Sequence, residues 1–167
     1  MNYEDTLQYL KDNDLTMSRY EREDWDHFIK KTKLNLEVPF IHITGSNGKG
    51  SSAHYLLEVY KAAGYKVALF SKPYLKKPNE MMHIDGKDIS DEDFARIFSQ
   101  RENEYKKFNL SSFEIETAMA FDYFMSKSLT LPSSNVEWEG RPTAQISLMP
   151  NLSFPSSRPF LLSTPPS

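Results

Sequence analysis

Apolar and polar positions alternate along the first three-quarters of the chain with periods that change several times. Around Tyr3 to Lys11 the apolar residues Tyr3, Leu7 and Leu10 recur on one helical face, and a second helix from about Tyr20 places Trp25, Phe28 and Ile29 on one side. Phe40-Ile41-His42-Ile43-Thr44 then reads as a strand, with Pro39 at its start, where a missing N–H is tolerated. A helix from about Gly48 carries Ala53, Leu56, Leu57 and Tyr60 as its buried face and has Gly64 in the place of a C-terminal cap. Val67-Ala68-Leu69-Phe70 is a short buried strand. Strand, loop, helix and strand of this length make a βαβ unit with parallel strands. Met82 to Lys87 predicts a short strand and an Asp85-Gly86 turn, and Ser90-Asp91-Glu92-Asp93 caps a helix whose Phe94, Ile97 and Phe98 face the core. Ser111 to Glu114 repeats the capping pattern. It opens a helix that is apolar on nearly every side, as a helix buried against a sheet is. In that helix Glu114 is expected as a cap and Glu116 and Asp122 at exposed positions, rather than as an acid–base set.

The chemistry sits between the first strand and its helix. Gly45-Ser46-Asn47-Gly48-Lys49-Gly50-Ser51-Ser52 has the spacing Gly-x-x-Gly-Lys-x-Ser, two residues tighter than the common phosphate loop. Glycines let backbone N–H groups turn toward an anion, and the unpaired N–H groups of the helix start add a positive field. An ordinary strand-to-helix turn also uses Gly and Ser. Lys49 argues against one, because a cation in the first turn opposes the helix dipole unless an anion is present. On this reading Gly45 to Ser52 bind ATP, Lys49 reaches the β- and γ-phosphates and acts as the catalytic cation, and the Ser51 hydroxyl completes a Mg²⁺ shell. Such a ligand lies beyond the carboxyl ends of the strands. So does the proline-bearing loop Ser71 to Glu80, whose Lys72, Lys76 and Lys77 physics alone leaves as surface charges.

Composition narrows the remaining classes. In 167 residues, enough for one domain of ordinary size, there is no cysteine, which excludes disulfides, thiolate metal sites and cysteine nucleophiles. His27, His42, His54 and His83 show no metal-ligand spacing, and His42 reads as a satisfied strand residue. A net charge of −3 and a pI near 5.8 give no electrostatic case for nucleic acid or an anionic membrane. No apolar run is long enough to span a bilayer, and the polar N-terminus lacks a signal-peptide core, so a cytoplasmic protein is expected.

The wording Thr44-Gly45-Ser46-Asn47-Gly48-Lys49-Gly50-Ser51 resembles the phosphate loop of the Mur ligase superfamily, and within it the folylpolyglutamate synthase/dihydrofolate synthase family, which usually has Thr where this chain has Ser46. The resemblance implies an N-terminal helical segment leading into an α/β, Rossmann-like P-loop ATPase domain with a parallel sheet and flanking helices. It implies an ATP-dependent ligase that adds glutamate to a folate through an acyl phosphate, with ATP and Mg²⁺ as cofactors and a monomer as the working form. It also matches Ser71, Lys72, Pro73, Tyr74, Asn79 and Glu80 to the family's substrate loop, in which Lys72 stands where the family has a magnesium-binding serine and Met81 where it has arginine. A phosphotransferase of another P-loop family, such as a kinase, is disfavoured by the short loop and by Asn79-Glu80.

From Ser128 the composition changes. Residues 129–167 hold seven of the ten prolines and show no sustained periodicity, so at face value this stretch is a disordered tail in which no strand is recognisable. The genetic code suggests another origin. Leu129-Thr130-Leu131-Pro132-Ser133-Ser134-Asn135 can be encoded by codons that, read one base earlier, give Val-Asp-Ile-Ala-Val-Ile-Glu. The same shift through Val136 to Gly140 permits Gly-Met-Gly-Gly, and through Pro142 to Ile146 Asp-Ser-Thr-Asn. The result resembles the family's third strand and following loop, including a glutamate that ligates magnesium there. The expectation is a family sequence over 1–127 and an out-of-frame, disordered stretch over 128–167, making the chain an incomplete copy of a ligase. The alternative is an inactive nucleotide-binding fragment or pseudogene product.

Overall fold

In the computed structural model the described residues are 1–14, 22–34, 40–44, 47–127, 143–147 and 160–163. Where chain length predicts one domain, they divide into two compact units. One comprises Met1–Asn35 with Ser90–Tyr123, the other Leu36–Ile89 with Phe124–Ser167.

The first unit is helical. Helices α1 (Tyr3–Asp12), α2 (Arg22–Thr32), α4 (Asp91–Gln100) and α5 (Glu102–Lys107) belong to it, as does α6 (Ser112–Ser126) up to Tyr123. Its caps follow the sequence. The Asn2 carboxamide accepts from Asp5 N–H at 2.8 Å and Ser90 Oγ accepts from Asp93 N–H at 3.1 Å. The apolar stripes meet in an aromatic core, in which Phe28 lies 5.8 Å from Tyr105, Tyr105 5.5 Å from Phe98 and Tyr3 5.6 Å from Phe94, between ring centroids. Trp25 and Phe28 are buried, as their spacing predicts.

Polar groups lace this core. Asp122 is not a free surface position. Its carboxylate takes Arg101 Nε at 2.5 Å and Nη2 at 2.9 Å, while Arg101 Nη1 reaches the Thr32 carbonyl at 3.3 Å. That two-pronged pair joins α6 to the α4–α5 junction and the end of α2. Asp122→Ala is expected to cost about 2 kcal/mol, less than a fully buried pair because both groups keep some water. A urea-unfolding double-mutant cycle with Arg101→Ala checks it, and zero coupling would contradict it.

Glu116 is buried, which corrects its expected exposure; a helix apolar all round leaves little room for an outward face. Glu114 caps α6 as expected, accepting from Ser111 N–H at 2.8 Å and Ser111 Oγ at 2.7 Å, yet it is 3% exposed and its Oε1 finds no partner among the described residues. Burial raises its pKa above the usual carboxylate range, against the pull of the Ser111 bonds. A carboxyl whose folded pKa is raised gives stability that is complete below the unfolded pKa and is lost as pH rises through the folded one. Glu114→Gln keeps an acceptor for Ser111. It should flatten that decline and be at least as stable as the parent at pH 7, as melting temperatures across pH 4 to 7 would show.

The second unit is a six-stranded sheet. Strands β1 (Phe40–Thr44), β2 (Lys66–Phe70), β3 (Met82–Ile84), β4 (Lys87–Asp88), β5 (Thr143–Ser147) and β6 (Phe160–Ser163) stand in the order β4-β3-β2-β5-β1-β6. The four strands β2, β5, β1 and β6 are parallel, and the β3–β4 hairpin adds an antiparallel edge. The hairpin turns at Asp85 and Gly86, whose φ values of 52° and 81° suit the predicted Asp-Gly turn. Helix α3 (Lys49–Ala62) connects β1 to β2 and buries Ala53 and Leu57 against Ile43, Val67 and Leu69.

Two of these strands correct an expectation. Residues 143–147 and 160–163 are strands, where composition predicted a disordered tail; the rest of 128–167 lies outside the described residues. The reason lies in the sheet rather than in the local sequence. β1 and β2 are joined through α3 but are not neighbours, and each has a ladder edge facing the same gap. β5 fills it, pairing Phe40 with Gln145 on one side and Ala68 with Gln145 on the other. Backbone hydrogen bonds on both edges hold a strand whose own residues, Thr-Ala-Gln-Ile-Ser, show only a five-residue alternation.

Candidate phosphate site

Parallel strands bring their carboxyl ends to one edge of the sheet. The chain leaves β1 for the Gly-rich loop at that edge and leaves β2 for Ser71–Lys77 at the same edge. With one strand between them, the two exits are about 10 Å apart. The candidate residues of both loops are therefore gathered on one side of the sheet, although Gly45 and Ser46 lie outside the described residues.

The start of α3 has the local features an anion requires. Gly48 is its N-terminal cap with φ 75° and gives no side-chain hydrogen bond, and the first turn holds no acidic residue. An added Cβ at Gly48 or Gly50 would meet nothing within 4 Å, so the space over the helix start is open. At Gly48 the left-handed φ favours glycine as well. Asn47, Gly50 and Ser51 are exposed and Lys49 and Ser52 half-buried, with Ser52 N–H already bonded to Gly48 O at 2.9 Å. The remaining early N–H groups, Lys49 and the Ser51 hydroxyl could hold phosphate oxygens. For a divalent ion Ser51 could supply one oxygen. Among the described residues no group of three or more His, Asp or Glu could hold a metal, so the other positions would fall to phosphate and water.

The second loop is built differently. Asn79 is buried and its Nδ2 donates to Ile89 O at 2.7 Å, while Glu80 accepts from the N–H groups of Leu75, Lys76 and Lys77. Ser71 N–H donates to Met81 O at 3.0 Å, and Pro73, Tyr74, Lys76 and Lys77 are exposed. Sequence reasoning placed Asn79 and Glu80 in a ligand loop and missed that both hold the loop itself. An Asn-Glu pair next to the apolar Met81-Met82 was the available signal, since one side chain must then be buried and satisfied.

The sheet, with α3 behind it, defines a partial mixed α/β domain. No family model matches the chain. It is 34% identical over 97 residues to folylpolyglutamate synthase of Lacticaseibacillus casei, taking in 54% of this chain and 23% of that protein, and 35% identical over 94 residues to dihydrofolate synthase/folylpolyglutamate synthase of Bacillus subtilis, taking in 53% and 22%. The crystal structure of folylpolyglutamate synthase from Thermotoga maritima superposes with a TM-score of 0.70 at 30% identity, covering 87% of this chain and 32% of that one. Two further solved structures share the fold at 24% and 22% identity, with TM-scores of 0.71 and 0.68, covering 88% of this chain and 35% and 33% of theirs. One is a folylpolyglutamate synthase with AMPPCP and folate, the other a folylpolyglutamate synthase/dihydrofolate synthase with Mn, AMPPNP and L-glutamate. The chain is thus similar to the N-terminal part of folylpolyglutamate synthases and dihydrofolate synthases, and spans about a quarter of the length of the curated relatives it matches.

Proposed function

We propose that residues 1–127 are the N-terminal part of the ATP-binding domain of a ligase that joins glutamate to a folate. The supporting observation is the open, uncapped start of α3 beneath Gly48 and Gly50, in a chain whose relatives are folate–glutamate ligases. ATP and a divalent ion, Mg²⁺ in the cell, are the cofactors; folate and glutamate are the small-molecule partners. The working protein is a cytoplasmic monomer with no nucleic-acid or membrane partner. No described helix is long and apolar enough to cross a membrane.

A carboxylate oxygen of the folate attacks the γ-phosphorus of ATP, the bond to the β-phosphate oxygen breaks, and ADP leaves. The glutamate amine then attacks the acyl carbon, loses a proton, and expels phosphate as the amide forms. No protein nucleophile takes part. The chain's task is to hold the phosphates with the N–H groups of 45–52 and to offset their charge with Lys49, while Ser51 would supply one oxygen to the divalent ion. Ser71, Lys72, Pro73, Tyr74, Asn79 and Glu80 form the substrate-facing loop, Asn79 and Glu80 from within.

We infer further that the chain is translated out of frame beyond about Ser128. α6 ends at Ser126, and a short connection would lead directly into the restored Val-Asp-Ile-Ala-Val-Ile-Glu at 129–135. Such a run suits a central parallel strand, which is apolar on both faces, better than Thr-Ala-Gln-Ile-Ser does. It would also bring a glutamate to the strand end beside the phosphate loop. As given, β5 contains neither Asp nor Glu, which favours a second reading of this particular chain as an inactive nucleotide-binding fragment. The test is ADP formation by the frame-restored protein. A ligase turns over to give ADP continuously only with both folate and glutamate present, whereas a kinase needs one acceptor.

A further inference from the structure

Glu80 sits on a 3₁₀ turn, Pro78–Met81, that is fixed from behind. Asn79 is bonded to Ile89 O at 2.7 Å, Met81 is buried with its carbonyl taking Ser71 N–H at 3.0 Å, and Glu80 N–H donates to Lys77 O at 3.1 Å. From that anchor the Glu80 carboxylate reaches forward. Oε2 accepts from Leu75 N–H at 2.8 Å and Lys76 N–H at 3.2 Å, and Oε1 accepts from Lys76 N–H at 3.1 Å and Lys77 N–H at 3.3 Å. Three consecutive N–H groups thus converge on one carboxylate, the concave donor arrangement that anions occupy. Side-chain packing does little to hold the tip, since Leu75 is 93% exposed and Tyr74 is exposed as well.

We propose that Glu80 is a positioning residue whose carboxylate latches the Ser71–Lys77 loop shut at the carboxyl edge of the sheet, and that this engagement of both oxygens keeps it from serving as a metal or substrate ligand. The latch stands on its own geometry. Only its consequence for ligand binding rests on the function proposed above. The bonds from Leu75, Lys76 and Lys77, with the charge of Lys76, hold the Glu80 pKa below the usual carboxylate range. Lys72 and Lys77 are the loop's other charges, and the adjoining β3–β4 hairpin brings His83, Asp85, Lys87 and Asp88. A carboxylate with a lowered folded pKa stabilises the closed loop above its unfolded pKa, and that contribution is lost as pH falls through the folded one.

The test is amide hydrogen exchange, corrected for intrinsic rates, on the full chain and on the frame-restored protein. In Glu80→Ala the Leu75, Lys76 and Lys77 amides should lose about tenfold or more of their protection at neutral pH, while the β2–β3 ladder around Leu69 and His83 keeps its own. The parent should lose the same three protections on acidification. Glu80→Gln, which retains one acceptor, should be intermediate and without that pH step. Unchanged protection at Leu75–Lys77 would overturn the proposal, as would an equal loss across the β2–β3 ladder. A restored protein that shows the latch yet ligates no glutamate would remove the functional reading alone.

Discussion

Restoring the reading frame at Ser128, with the sequence that follows, is expected to turn a chain with no detectable ligase activity into one that adds glutamate to a reduced folate in the presence of Mg-ATP. Two effects combine. The central strand between β1 and β2 would change from Thr-Ala-Gln-Ile-Ser to a run with two valines and two isoleucines, beside a β2 whose Val67, Ala68, Leu69 and Phe70 are all fully buried. Each Val or Ile fully buried there contributes about 1.5–3 kcal/mol, so the sum is comparable with the stability of a whole domain. The same shift places a carboxylate at the strand end next to the phosphate loop, where the described residues offer no acidic cluster for a metal. The chain as given should therefore be marginally stable and prone to aggregate, and the restored protein should melt higher and turn over. Assaying the two side by side for ADP, phosphate and the glutamyl product checks both effects. Ligase activity in the 167-residue chain, or none in a folded, restored protein, would overturn the frame argument.

Much of the second unit was legible because local chemistry and periodicity agree there. A β-branched strand, a Gly-Lys loop and an apolar helical face can be read without a partner, and β1, α3 and β2 stand close to where they are predicted. Strand order was not legible. That β1 and β2 are separated by a strand from the far end of the sequence is a tertiary fact, and backbone pairing on two edges carries β5 despite its composition. Helix α5 (Glu102–Lys107) has Tyr105 as its one apolar residue and no periodicity to detect; it stands because that ring is buried among Phe28 and Phe98. Glu80 illustrates the same limit at the candidate site. In sequence Glu80 is matched to the family's substrate loop, and only the turn of the chain shows three N–H groups meeting on it.

Replacing Lys49 by alanine should remove most of the nucleotide affinity the chain has. Lys49 opens α3, where the dipole favours an anion, and that first turn holds no acidic residue. The open space above Gly48 and Gly50 leaves room for a phosphate within reach of the helix start. A charge-assisted hydrogen bond of about 1.5–3 kcal/mol then corresponds to about a ten- to hundredfold loss in ATP affinity for Lys49→Ala. In the frame-restored ligase the loss in turnover should be larger, about a hundred- to a thousandfold. The cation there faces charge that grows as the γ-phosphoryl group moves, and stabilisation of developing charge acts on the rate beyond its effect on binding. Lys61→Ala is the matched control, since Lys61 lies in the last turn of the same helix, paired with Glu58 at 2.9 Å, and its removal should leave ATP affinity unchanged. Calorimetric titration of Mg-ATP into the three proteins, with far-ultraviolet circular dichroism to confirm that α3 is retained, separates the outcomes. Equal affinity in the parent and Lys49→Ala, or equal losses in both variants, would remove Lys49 from the phosphate site and the Gly45–Ser52 assignment with it.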